Sequence, residues 1–214
     1  MPTKRPGKAW QEMMRGNARF VSGEPRHPRQ DVERRTELAH HQLPDAALFG
    51  CADSRLAAEI IFDKGLGDLF VVRNAGQVIS DSVVGSLEYA VGVLGVPLIV
   101  VLGHDECGAV RAAIDSRSPE ATPLPPHIDG IIQRIVPAVT RVAGADPVDP
   151  DTVDAALVGK EHLRDTVSEL LERSVMIAES IAAGTLAIVG ANYKLTEGRV
   201  VPDVVVGRVD QPES

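Results

Sequence analysis

Ala46-Ala47-Leu48-Phe49-Gly50-Cys51-Ala52-Asp53-Ser54-Arg55 is an apolar run that ends abruptly on a thiol, a carboxylate and a guanidinium. A run this short and uniformly apolar, bounded by polar residues, reads as a β-strand buried on both faces. The same pattern returns at Leu69-Phe70-Val71-Val72, ahead of Arg73-Asn74-Ala75-Gly76. It returns again at Pro97 to Leu102, ahead of Gly103-His104-Asp105-Glu106-Cys107-Gly108. Helical stretches alternate with these strands: Ala57 to Phe62, Val83 to Leu94, and a helix that begins over Ala109 to Ile114. Buried strands in β-α-β-α order predict an α/β fold, a mostly parallel central sheet with right-handed crossovers, flanked by helices. Thr185 to Ala191 reads as a fourth strand, and Arg199 to Val206 as a last one, antiparallel after the turn Glu197-Gly198.

Ahead of the first strand, Ala9, Trp10, Met13, Met14, Ala18 and Val21 recur at near-helical spacing over residues 6–22, up to Gly23-Glu24-Pro25. The spacing predicts an amphipathic helix. Trp10 and the methionines pack either on their own chain or on a partner subunit. Residues 1–45 are thus expected to form an N-terminal helical arm and residues 46–214 the α/β core, within one domain spanning 1–214. A Pro-rich loop covers Ser118 to Pro126, and two helical stretches, about 128–143 and 153–182, flank Gly144-Ala145-Asp146-Pro147-Val148-Asp149-Pro150.

The 214 residues carry a formal net charge of −8, with 44% hydrophobic and 24% charged residues, a soluble globular composition. An acidic chain without a long Lys/Arg run argues against nucleic acid as a partner. The basic clusters at Arg26 to Arg29 and Arg34-Arg35 are diluted by Glu24, Asp31 and Glu33 and read as a solvated face. No stretch has the roughly 20 consecutive apolar residues of a membrane span. The N-terminus lacks the apolar centre of a secretory signal. These features predict a cytoplasmic protein, in whose reducing environment Cys51 and Cys107, the two cysteines of the chain, stay free.

Ligands of open α/β sheets gather at the carboxyl ends of the strands. Cys51 follows one strand and His104 another, so neighbouring strands would aim both into one crevice. Cys107 lies three residues beyond His104, at the opening of the next helix, where the helix N-terminus favours a thiolate. Gly103 and Gly108 would let the backbone turn tightly around a bound ion. Two thiolates and an imidazole are a zinc ligand set that leaves a fourth position for chemistry. The competing readings are two small buried hydrophobes or a Cys51–Cys107 disulfide. Asp53 can reach the fourth zinc position or accept a hydrogen bond from a water bound there, and Arg55 can hold Asp53 in a bidentate pair. Arg73 either enters the same crevice or serves as a structural or interface cation.

At these residues the chain resembles the β-class carbonic anhydrases. The Cys-Ala-Asp-Ser-Arg and Gly-His-Asp-x-Cys-Gly blocks are similar to that family's two zinc signatures. The likeness extends through Asn17-x-Arg19-Phe20, Arg73 to Gly76, Glu88-Tyr89-Ala90 and Leu186 to Tyr193. The resemblance implies reversible hydration of carbon dioxide to bicarbonate and a proton through a zinc-bound hydroxide. It implies one Zn2+ per chain on Cys51, His104 and Cys107, with an Asp53–Arg55 catalytic dyad and Asp53 on the metal only in a closed state. It also implies substrate contacts from Gln42, Tyr89 and Gly108, and self-association as a dimer or tetramer whose clefts lie between subunits. Leu48 stands where some members carry a Trp that forms a non-catalytic bicarbonate site with an Arg and a Tyr, positions filled here by Arg73 and Tyr193.

Two alternatives use the same residues: a hydrolase of CS2 or COS on the same scaffold, or a non-catalytic zinc or redox-sensing protein with Asp53 closing the site. Two thiolates would cancel much of the zinc charge, so activity is expected to grow on the alkaline side of neutrality. Val78, Leu87 and Tyr89 are candidate walls for an apolar CO2 pocket. His27, His40, His41, His127 and His162 are candidate proton shuttles by residue type alone.

Overall fold

The computed structural model describes residues 5–209. The ends of the expected 1–214 span, Met1-Pro2-Thr3-Lys4 among them, lie outside the described residues. Among the described residues, strands β1 (Ala46–Cys51), β2 (Leu69–Asn74), β3 (Leu98–His104), β4 (Ala187–Lys194) and β5 (Arg199–Val206) form one sheet, ordered β2-β1-β3-β4-β5. The first four run parallel, and β5 pairs antiparallel with β4. The α-helices are α1 (Pro6–Ser22), α2 (Val32–Glu37), α3 (Ala58–Ile61), α4 (Asp81–Gly92), α5 (Gly108–Asp115), α6 (Pro126–Ile132), α7 (Val136–Ala143), α8 (Ala155–Arg173) and α9 (Val175–Ala182).

The uniform apolarity of the central strands follows from a core on each face. Successive strand residues point to opposite sides. Leu48, Val100, Leu102 and Val189 meet Met13, Phe62 and Ile114 on one side. Phe49, Ile99, Val101 and Ile188 meet Val83, Leu87 and Leu163 on the other. β1 and β3 are buried throughout, whereas β2, equally apolar over Leu69 to Val72, is only half-buried because it forms an edge of the sheet.

Three helical expectations need correction. The 128–143 stretch breaks into α6 and α7 at Gln133 to Ile135. The 153–182 stretch breaks at Ser174, whose extended backbone closes α8 and whose Oγ accepts from the Ile177 N–H to cap α9 while donating to Glu88. A short helix, α2, stands where none was expected; the Asp31 carboxylate caps it by accepting from the Arg34 N–H at 2.7 Å.

The arm is built into the same chain. Ala9 and Met13 are fully buried, and Trp10 and Met14 pack half-buried against the same core. At Gly16 a Cβ would stand 1.8 Å from the Phe62 carbonyl oxygen, so only glycine permits this approach of α1 to the end of α3. Asn17 then ties α1 to two distant places. Its Nδ2 donates to the carbonyls of Ile61 and Gly198, and its Oδ1 accepts from the Val200 N–H.

Asp63 secures the other side of the arm. Its buried carboxylate accepts from Arg19 Nε at 2.6 Å and from the backbone N–H groups of Arg26 and His27. Burial pushes this carboxyl up, but the Arg26 N–H, the Arg19 guanidinium and the His27 N–H outweigh it and hold the carboxyl below its ordinary value. A depressed acid stabilises the fold above its unfolded pKa, and the stabilisation is lost as pH falls through the folded value. Asp63→Asn keeps the left-handed backbone (φ 45°) that Asn tolerates. It is expected to cost about 2 kcal/mol at pH 7, or about 4–8 °C in Tm. Thermal melts should show the gap to the parent closing below about pH 4; a gap unchanged down to pH 3 would contradict this account.

Candidate metal centre

Cys51 closes β1 and His104 closes β3. These strands are neighbours with Gly50 opposite Leu102, so both side chains emerge at one end of the sheet. Cys107 is the N-cap of α5. The turn that carries the chain from His104 to Cys107 is made by Glu106, at φ 50°, and not by the flanking glycines. Gly103 is still strand, packed so that a Cβ would stand 2.9 Å from Asn192 Oδ1, and Gly108 opens α5 with free space around it. Left-handed backbone at a non-glycine residue is strained, and here the strain lies between the imidazole and the second thiol.

The ligand atoms of Cys51, His104 and Cys107 all lie within 4.8 Å of one another, and all three residues are buried. Both cysteines are free thiols, which removes the disulfide reading. His104 Nδ1 lies 2.7 Å from the Asp105 carbonyl oxygen, which requires the N–H on Nδ1, so that in the neutral ring the lone pair is on Nε2. That Nε2 is buried and has no hydrogen-bond partner among the described residues. The sulfurs cannot both ionise without a cation. The Cys107 thiol, donating to Cys51, leads the effects that lower Cys51 to about 4, with His104 and the Gly76 and Asp53 N–H groups adding to it against burial. Its partner Cys107 is pushed up by the Cys51 charge and by burial. An orphaned imidazole nitrogen beside two thiols competing for one negative charge fits a thiophilic divalent cation.

The loop after Cys51 is held by two arginines. Arg55 grips Asp53 bidentately, Nε to Oδ1 at 2.9 Å and Nη2 to Oδ2 at 2.8 Å. The Arg55 guanidinium, working against burial, holds the Asp53 carboxyl far below the usual carboxylate range. Asp53 Oδ2 lies 4.0 Å from His104 Nε2, at the rim of the cluster. Nη2 of Arg55 also donates to the Glu106 carbonyl, linking the loop after β1 to the strained turn after β3. Arg73, at the end of β2, donates from Nε to the Cys51 carbonyl and from Nη2 to the Asp53 carbonyl. It is a clamp on main chain, with its guanidinium turned to those carbonyls.

Of the other expected site residues, Gly108 lies beside the cluster and the rest lie elsewhere. Gly108 lines a cavity of about 350 Å3 beside the His104–Cys107 turn, which Arg111 and Ala155 also line. Val78 and Leu87 are buried core outside that cavity. Gln42 is exposed and lies in the irregular chain before β1, at whose opposite end, about 16–20 Å along the strand, Cys51 stands. Tyr89 is 45% exposed beside Phe70, which pairs with Ala47 near the start of β1, again at the far end of the sheet. Of the candidate shuttles, His27, His40, His41 and His127 are exposed, whereas His162 is buried with Nε2 on the Gly76 carbonyl. A larger cavity, about 660 Å3, lies under the arm, away from the cluster. Its Arg19, Arg29 and Lys64 are already paired with Asp63, Asp68 and Asp45.

Residues 46–200 match the family model described as carbonic anhydrase. The chain belongs to the β-class carbonic anhydrases. A carbonic anhydrase of Mycolicibacterium smegmatis is 50% identical over 202 residues, 94% of each chain. Carbonic anhydrase 2 of Mycobacterium tuberculosis is 48% identical over 213 residues, 99% of each chain. A tetrameric β-carbonic anhydrase of Sordaria macrospora superimposes with a TM-score of 0.71 at 21% identity, over 92% of this chain and 98% of that one, a likeness of fold. The β-carbonic anhydrase resemblance read from the sequence is therefore correct, and the chain is an enzyme of that family. No helix among the described residues is long and apolar enough to cross a membrane.

Of the residues that shape this site, Arg73 had an open role from sequence, and the Glu106 carbonyl carried no side-chain signal at all. The clamp makes a direct prediction. Arg73→Lys offers one point charge where the guanidinium spans two carbonyls. The Arg55 and Leu56 amides, which bond to Asp53 within the loop, should then exchange about fivefold faster in hydrogen-exchange measurements. Unchanged exchange at both would show that Arg73 does not hold the loop.

Proposed function

We propose that the chain catalyses the reversible hydration of carbon dioxide to bicarbonate and a proton, with one zinc ion per chain held by Cys51, His104 and Cys107. The observation that carries this is the buried, unpartnered His104 Nε2 within a three-ligand cluster whose rim is an ionised Asp53. Zinc held there supplies a Lewis acid that makes water nucleophilic near neutral pH. Asp53 accepts the O–H of the reacting water at Oδ2, fixing the direction of the oxygen lone pair. Arg55 keeps that carboxylate ionised and turned away from the cluster. Both Asp53 oxygens are engaged by Arg55, which supports an open site over a closed, non-catalytic one. The cavity beside Gly108 gives a small apolar molecule a place next to Cys107 and His104. A CS2 or COS hydrolase would need the same residues; membership of the carbonic anhydrase family favours CO2.

Gln42 and Tyr89 contact substrate, on this reading, only if a second chain brings them to the cluster. The half-buried β2 edge, with Tyr89 exposed beside Phe70, is a surface suited to such self-association as a dimer or tetramer. Free thiols at the cluster suit a reducing compartment such as the cytoplasm.

The experiment is stopped-flow CO2 hydration by the zinc-loaded chain and by Arg55→Ala. The parent should hydrate CO2 well above buffer, and the variant should lose at least about 100-fold in kcat with its zinc content unchanged. Absence of hydration by a fully zinc-loaded parent would contradict the reading, and full activity of Arg55→Ala would remove the dyad from it.

A further inference from the structure

We propose that His162 is a positioning residue for Cys51, acting through the Gly76–Gln77 turn; this rests on the metal reading above. His162 sits on the buried face of α8, among Val158, Leu163, Thr166 and Val167. Its Nε2 lies 2.6 Å from the Gly76 carbonyl oxygen, 86 residues away in sequence. Burial holds this imidazole below its ordinary pKa, so it is a neutral ring whose one N–H, on Nε2, donates to that carbonyl. Nδ1 is buried and has no hydrogen-bond partner among the described residues.

The turn it grips is an unusual piece of chain. Gly76 and Gln77 are consecutive left-handed residues, at φ 71° and 40°, and Gln77 lacks the freedom of glycine. A Cβ at Gly76 would stand 2.9 Å from Ala109 Cβ and 3.0 Å from Ile135 Cδ1, so the turn is pressed against the first turn of α5, the helix that Cys107 opens. Such a conformation persists only when its surroundings over-determine it. Two side chains do so chiefly: His162 on the Gly76 carbonyl, and Asn74, whose amide both donates to and accepts from the Val78 backbone; the Thr166 hydroxyl, whose proton lies on the His162 carbonyl at 2.8 Å, also approaches the Gln77 carbonyl at 3.3 Å. What the turn delivers is the Gly76 N–H, aimed at Cys51 Sγ at 3.4 Å.

An N–H on a thiolate fixes the direction of its lone pairs and favours the deprotonated sulfur that a cation requires, while withdrawing some charge from it; its loss therefore weakens capture of the ion and moves sulfur-to-metal charge transfer to lower energy. His162 therefore acts on Cys51 without touching it. A buried histidine with only a packing role would be replaceable by an apolar residue of similar volume at no cost to the sulfur.

The test compares the parent chain with His162→Leu and His162→Gln, reading zinc affinity by chelator competition and the thiolate-to-cobalt charge-transfer band of the Co2+-loaded proteins. His162→Leu should bind zinc about tenfold more weakly with the band moved to lower energy, and His162→Gln, whose amide N–H reaches the same carbonyl, should recover to within about threefold. A folded His162→Leu with parental affinity and an unmoved band overturns the proposal, as does a His162→Gln impaired as badly as His162→Leu. If His162→Leu does not fold, His162→Met takes its place; it too lacks a donor to the Gly76 carbonyl, and the band should move the same way, with no movement overturning the proposal. A parent that takes up no metal, or gives no thiolate band, overturns the metal reading and this proposal together, whereas a normal parent with unmoved variants overturns this proposal alone.

Discussion

The pairing of β1 with β3 is the constraint on which the rest of the site depends. With Gly50 opposite Leu102, the two strands end together, and Cys51 and His104 follow those residues into the same space. A slip of one residue would turn every side chain of β1 to the opposite face and carry Cys51 away from its place beside the end of β3. The double-sided core makes that slip costly, because each strand residue fits one of two different sets of helices. The chemistry of the site is thus specified by packing some distance beneath it.

Around that register the local chain geometry is strained, and the strain is contained by hydrogen bonds. Glu106 turns left-handed between His104 and Cys107, and Gly76-Gln77 turns left-handed beneath Cys51. Arg55 fastens the first turn by its carbonyl, and His162 and Asn74 fasten the second. Arg73 reaches from β2 to bind the main chain of the Cys51–Asp53 loop. Two elements distant in sequence, β2 and the loop after β3, therefore bond directly to one short segment, residues 51–55, and α8 bonds to the Gly76–Gln77 turn whose N–H meets Cys51. Supporting side chains of this kind commonly decide how well first-contact ligands are aimed.

The strands, their mostly parallel sheet and the placing of Cys51 and His104 at strand ends, with Cys107 at the next helix, were legible in the sequence because they rest on local patterns; that β1 and β3 lie side by side was not. Uniform apolar runs mark strands covered on both faces, and polar residues just past them mark strand ends. What was not legible depends on tertiary context. Leu69 to Val72 has the composition of a central strand and is an edge, since nothing local encodes what lies beside it. Ser174 reads as one more residue of a long helix until Glu88 is seen to accept its hydroxyl. Gly103 and Gly108 looked like the turning points around the cluster, yet the turn falls on Glu106, because Gly103 is needed as strand against Asn192. His162 was one histidine among several by type; its position among the apolar residues of α8 was the one available sign that it was buried.

The central claim is that two strand ends and a helix N-terminus gather Cys51, His104 and Cys107 around one zinc ion. Zinc-edge X-ray absorption on the purified full chain, with zinc content measured on the same sample, tests it most directly. The account predicts one zinc per chain with two sulfur ligands near 2.3 Å, one imidazole nitrogen at about 2.0–2.1 Å and one further light atom. A chain that binds no zinc, or zinc with fewer than two sulfurs in its shell, would contradict it.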